Sequence, residues 1–136
     1  MISLIGRTPL IPLTRIGRGL PAPVWVKCEH LNPGGSIKDR LALAIVDDAQ
    51  ARGELRPGMT IIEATAGNTG AGLALVAAAR GCSLVCVMPE KMSADKRLAL
   101  EAMGARVLIT PNAPPSSPEN FRAVAARLAA ENGWFL

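Results

Sequence analysis

TIIEATAGNTGAGLALVAAARGCSLVCVMP, residues 60–89, packs a strand, a glycine-rich turn, a helix and a second strand into one short run. Residues 60–65 are apolar and β-branched at their centre, so they read as a short buried strand. Glycines at 67, 70 and 72 then bare the backbone, and the alanine-rich run that follows reads as a helix ending at Gly81. Residues 83–89 are almost wholly apolar, the pattern of a parallel strand covered on both faces. A strand, a crossover helix and a second strand in that order form a right-handed parallel unit.

Working outward from this unit, the alternation continues. Downstream, a helix opens at Ser93, runs to Met103 and is stopped by Gly104; residues 106–110 form another strand. The connection PNAPPSSP (111–118) is stiff, with Ser117 as helix cap and Pro118 at the first helical position of a helix over 119–131. WFL (134–136) reads as a further strand begun and not finished, so the chain reads as truncated. Upstream, residues 24–30 are β-rich. NPGGSIKDRLALAIV (32–46) follows as a turn, with Ser36 and Asp39 spaced as a capping box for a helix over 36–54 that Pro57 and Gly58 end. The expected class is α/β: a parallel sheet with helices on both faces.

Composition narrows the function. Apolar residues make up 49% and charged residues 19%, which excludes disorder and a coiled coil. The net charge of +4 is mild and its cations are scattered, while aromatics stand at 3%, so a nucleic-acid partner is not expected. Cys28, Cys82 and Cys86 form no CxxC pair, and the single His30 leaves a zinc site without its ligands, so no metal is expected. The cysteines read as buried, inert thiols in a reducing compartment. No apolar run is long enough to span a membrane, and the chain reads as soluble and cytoplasmic.

In open α/β sheets ligands bind beyond the carboxyl ends of the strands, and two turns here are suited to that. One is residues 32–38, ending in Lys38. The other is TAGNTG (65–70), with hydroxyls on Thr65 and Thr69, an amide on Asn68 and bare backbone at Gly67 and Gly70. Neither follows the G-x-G-x-x-G or the G-x-x-x-x-G-K-[ST] pattern of nucleotide sites. Lys38 occupies the first turn of its helix, where the macrodipole disfavours a cation and so favours the neutral amine that carbonyl chemistry needs. The plain alternative is a solvated lysine partnered by Asp39 or Asp47. His30, beside this turn, reads as a hydrogen-bonded structural residue, and Glu63 as a buried or solvated acid close to the second turn.

NPGGSIKDR, EATAGNTGAGLALVAAARG and VMPEKMSADKRLALEAMGA, in this order and spacing, closely resemble the cysteine synthase and cystathionine β-synthase family over residues 5–136. These are pyridoxal-phosphate enzymes of fold type II, the tryptophan-synthase-β type. The resemblance implies that Lys38 holds the cofactor as a Schiff base and later moves the substrate's α-proton. Asn68 then bonds the cofactor's ring hydroxyl, and Thr65, Ala66, Gly67, Asn68 and Thr69 clasp the substrate's carboxylate. It implies β-replacement on a serine-type substrate: an activated serine such as O-acetylserine with sulfide giving cysteine, or serine with homocysteine giving cystathionine. The proline-rich connection at 110–121 looks like the cystathionine β-synthase form. A catalytically incomplete, partner-dependent module is the reading from another class. Family members usually have serine where Ala66 stands, and the family's cofactor-phosphate loop lies downstream of residue 136. By resemblance, residues 1–46 belong to a larger cofactor-binding domain and 47–136 to a smaller mobile one, with a homodimer expected once the C-terminal half completes it.

Overall fold

A computed structural model of the chain describes residues 1–65 and 67–136. Its elements are strands β1 (Leu10–Pro12) and β2 (Trp25–Lys27), helix α1 (Lys38–Ala51), strand β3 (Thr60–Ala64), helix α2 (Asn68–Arg80), strand β4 (Ser83–Pro89), helix α3 (Ala94–Ala102), strand β5 (Arg106–Thr110) and helix α4 (Phe121–Asn132). Strands β3, β4 and β5 lie side by side in that order, all parallel, with Ile61 opposite Leu84 and Val87 opposite Leu108.

Alternation along the strands divides the core. Ile61, Leu84, Cys86 and Met88 point to one face, where Ala42, Val46 and Ala49 of α1 meet Leu73, Val76 and Ala77 of α2. Ile62, Val85 and Val87 point to the other and are covered by Ala125 and Ala129 of α4. Helices therefore cover both faces, as expected. Val46 and Val76 are wholly buried, each contributing roughly 1.5–3 kcal/mol of apolar burial.

The expected elements from 60 to 110 appear within a residue or so of their predicted ends. Gly81 ends α2 in the left-handed conformation (φ +68°) that glycine adopts without steric cost. Phe135 adds a parallel bridge on the free edge of β3, its N–H donating to Thr60 O at 3.0 Å and its carbonyl accepting from Ile62 N at 2.8 Å, as the WFL strand reading anticipates.

Three expectations need correction. The strand over 24–30 shrinks to β2, which pairs antiparallel with β1 outside the parallel sheet; residues after Lys27 turn into the 3-10 segment Glu29–Leu31. The first helix starts at Lys38 and ends at Ala51, inside the predicted 36–54. Its capping box does not form, because the Asp39 carboxylate accepts from Gly34 N rather than closing on Ser36, whose hydroxyl instead accepts from Lys38 N at 3.1 Å. The last helix is capped by Asn120, not Ser117. The Asn120 carboxamide accepts from Arg122 N (3.1 Å) and donates to Ala113 O (3.0 Å), a double anchor that a serine hydroxyl cannot span.

Strands β1 and β2 are exposed along their whole length, including Leu10, Ile11, Trp25 and Val26, and Ile37, Leu41 and Ile45 at the start of and along α1 are exposed as well. No described helix is long and apolar enough to cross a membrane.

Candidate active site

Lys38 is the first residue of α1, and its side chain is exposed. Neither acid weighed as its partner holds it. Asp39 is fully buried against Gly34 N, and Asp47 pairs with Arg80 at 2.5 Å. Among the described residues no ion pair forms at Lys38, whose side chain is left to solvent.

The second turn follows β3 and leads into α2. Thr65 is buried, and its hydroxyl oxygen accepts from Gly67 N (3.3 Å) and Gly70 N (3.2 Å), so it shapes the loop and caps the helix. Gly70 makes this approach fit: a Cβ there would lie 2.7 Å from Thr65 Cγ2. Asn68, the first residue of α2, is exposed, Gly67 and Thr69 are half-buried, and a Cβ at Gly67 would meet nothing within 4 Å. Ala66 lies outside the described residues.

The two turns are joined through one residue. Gly72 of α2 stands against the first turn of α1, where a Cβ would lie 2.9 Å from Lys38 O and 3.2 Å from Asp39 Cα. Asn68 is one helical turn before Gly72 and shares its face. The lysine and the asparagine thus start neighbouring helices whose backbones touch. A glycine inside a helix costs about 1 kcal/mol relative to alanine and needs a packing reason, and that signal was legible in the sequence without saying which partner it served. A cleft of about 120 Å³ opens between Gly67, Asn68, Lys96 and Met103. A larger cavity of about 500 Å³, between Lys91, Asn112 and Arg122, touches none of Lys38, Thr65 or Asn68.

The remaining chemical groups are quieter. His30, read as a hydrogen-bonded structural residue, is exposed instead. All three cysteines are free and buried, and burial together with the Glu63 charge pushes the Cys86 thiol up to about 12, which leaves it unreactive near neutrality. Among the described residues no group of three His, Cys, Asp or Glu side chains could hold a metal ion.

Glu63 lies opposite Cys86 on the α1/α2 side of the sheet, and burial raises its carboxyl above the usual range. The folded state thus holds this proton more tightly than the unfolded one, whose value is about 4.5. The carboxyl costs no stability below that pH, and stability falls as pH rises from there through the raised folded value. Glu63→Gln is expected to leave the urea midpoint unchanged near pH 4 and to raise it at pH 7; a lowered midpoint at pH 7 would show that the carboxylate has a favourable partner.

The sequence model of the family described as "Pyridoxal-phosphate dependent enzyme" matches residues 2–136. Cystathionine beta-synthase of Apis mellifera is 49% identical over 134 residues, which take in 96% of this chain and 27% of that protein. Cysteine synthase of Staphylococcus aureus is 44% identical over 133 residues, covering 98% of this chain and 42% of that protein. Among solved structures, O-ureido-L-serine synthase matches with a TM-score of 0.86 at 44% identity, covering 98% of this chain and 42% of its own. A hydrogen sulfide-producing enzyme from Fusobacterium nucleatum matches with a TM-score of 0.85 at 34% identity, covering 99% and 43%. The chain therefore spans about a quarter to two fifths of the length of these relatives.

Proposed function

Because this chain belongs to the family of pyridoxal-phosphate dependent enzymes, we propose that it carries the lysine and the carboxylate loop of a β-replacement site. The favoured reaction takes an activated serine and sulfide to cysteine. The near alternative, serine with homocysteine, is supported by the 49% identity to an insect cystathionine beta-synthase. The observation that carries the reading is the contact of Gly72 with Lys38, which sets an exposed amine and an exposed carboxamide on abutting helix N-termini.

These residues suit the cofactor. A primary amine matches an aldehyde, a carboxamide matches a phenolic hydroxyl, and the space over Gly67 is open. When bound, pyridoxal phosphate supplies that aldehyde and an electron-withdrawing ring that stabilises negative charge beside it. Lys38 would hold the aldehyde and then accept and return the proton at the substrate's α-carbon. Asn68 would orient the ring through its hydroxyl. The loop of Thr65, Ala66, Gly67, Asn68 and Thr69 would take the substrate's carboxylate on backbone N–H groups at the start of α2.

Residues 1–46 are read as part of a larger cofactor-binding domain and 47–136 as a smaller mobile one, with the continuous helix α1 crossing the boundary. A further polypeptide segment covering the exposed apolar surface of β1, β2 and α1 would complete the first domain and supply the phosphate contacts. The completed protein would be a cytoplasmic homodimer.

Incubation with pyridoxal phosphate, borohydride reduction and peptide mapping test the central claim. A single pyridoxyl adduct on Lys38 is expected. Modification spread over Lys91 and Lys96, or none on Lys38, would sink the catalytic reading.

A further inference from the structure

A connected polar network lies under the lysine turn, joining Gly6 and Glu29 to Asn32, Ser36 and Arg40 of the NPGGSIKDR stretch. Asn32 is 4% exposed, and every polar atom of its carboxamide is engaged. Its Oδ1 accepts from Gly6 N at 2.8 Å, and the two N–H groups of its Nδ2 are shared among Glu29 O (2.9 Å), Glu29 Oε2 (2.8 Å) and Ser36 O (3.0 Å). The same Ser36 accepts from Lys38 N through its hydroxyl. From the other side, Arg40 in the first turn of α1 forks onto Glu29, Nε to Oε2 at 2.9 Å and Nη2 to Oε1 at 2.8 Å. Its Nη2 also donates to Gly6 O at 2.9 Å. Two segments, at Gly6 and at Glu29–Asn32, are thereby tied to the residues on either side of Lys38, Ser36 and Arg40.

Taking Lys38 as the cofactor-holding amine, as argued above, we propose that Asn32 and Arg40 are positioning residues for it, fixing through Ser36 and Glu29 the backbone from which the amine projects. Packing alone does not do this. Gly72 of α2 meets the Lys38 and Asp39 backbone, but the buried apolar side chains of α1, Ala42, Val46 and Ala49, all lie beyond the first turn, and Ile37 and Leu41 are exposed. The turn over 32–37 gains its order from hydrogen bonds. Arg40 holds the Glu29 carboxyl down to about 2, so the fork stays ionised at any working pH. A bidentate guanidinium pair also fixes direction, which a single ammonium contact does not.

The test compares Asn32→Asp, Arg40→Ala and Arg40→Lys with the parent chain by amide hydrogen exchange and by borohydride-trapped pyridoxyl adduct on Lys38. Asn32→Asp keeps the shape but loses every donated bond and sets a second carboxylate against Glu29. Exchange over residues 36–39 is expected to quicken about tenfold or more in Asn32→Asp and Arg40→Ala, while α2 and β4 keep parent protection. The adduct on Lys38 should fall by about tenfold, since small misplacements of a reacting group carry costs of that order or greater. Arg40→Lys should recover part of both, a graded rescue that general destabilisation would not produce. Should Asn32→Asp unfold outright, the Arg40 pair decides alone. Unchanged exchange, or quickened exchange with an unchanged adduct, overturns the positioning role. A parent chain protected at 36–39 yet free of adduct overturns the reading of Lys38 itself, and the positioning role falls with it.

Discussion

Lys38→Ala is expected to abolish the borohydride-trapped adduct while leaving the fold unchanged. The two halves of this result have separate causes. The side chain is exposed and forms no ion pair among the described residues, so truncating it should shift unfolding free energy by no more than about 0.5 kcal/mol. Its amine, however, is the only group on either candidate turn able to condense with an aldehyde: Thr65, Asn68 and Thr69 offer hydroxyls and a carboxamide. Lys38→Arg sharpens the test. The guanidinium keeps the positive charge but stays protonated and cannot form the imine bond. If electrostatic attraction of the cofactor's phosphate were the role of Lys38, arginine would retain binding; if covalent attachment is the role, both variants lose the adduct alike. In a complete, turning-over form of the protein the loss should be about 10²–10⁴-fold from proton transfer alone. An adduct of parental yield in Lys38→Ala, mapped to another lysine, would remove Lys38 from the site.

How far the chain can be read without coordinates depends on the range of the forces involved. Residues 60–110 were legible because each boundary there is set by a neighbour in sequence. The apolar run of β4 needs cover on both faces, and Gly81 must take a positive φ to end α2. The capping box at Ser36 misled for the opposite reason. Local spacing permits Asp39 to bond back to Ser36, yet its carboxylate accepts from Gly34 N instead, and at Gly34 no side chain blocks the approach. Strand β1 left no trace in the pattern because its short, proline-bounded segment is defined only by its pairing with β2. The candidate site divides in the same way. Lys38 and Asn68 could be named from their motifs, while the fork of Arg40 on Glu29 and the contact of Gly72 with Lys38 join residues far apart in the chain, which no periodicity reports.

That last contact carries the second large effect. A Cβ at Gly72 would lie 2.9 Å from the carbonyl oxygen of Lys38, 3.0 Å from its carbon and 3.2 Å from Asp39 Cα, all of them backbone atoms that cannot rotate aside. Gly72→Ala must therefore push α1 and α2 apart, loosening Val46 and Ala49 against Val76 and Ala77 in the layer between them. Overpacking of this kind costs about 1–3 kcal/mol, and the gain in helix propensity on replacing glycine returns about 1 kcal/mol. The net loss should be up to about 2 kcal/mol by urea denaturation, and larger for Gly72→Val, whose second branch also crowds its own helix. Stability alone would make Gly72 a packing residue. The geometry asks more of it, because the displaced atoms are the backbone of Lys38, and Asn68 rides on the helix that moves. The Lys38 adduct in Gly72→Ala should consequently drop further than the folded fraction does, measured on the same sample at a temperature where folding remains complete. Gly70→Ala supplies the contrast: its clash is with Thr65 Cγ2 and Leu100 Cδ2, so it strains the loop without touching α1. Equal loss of adduct in both variants at matched stability would deny Gly72 its part in bringing the lysine and the asparagine together.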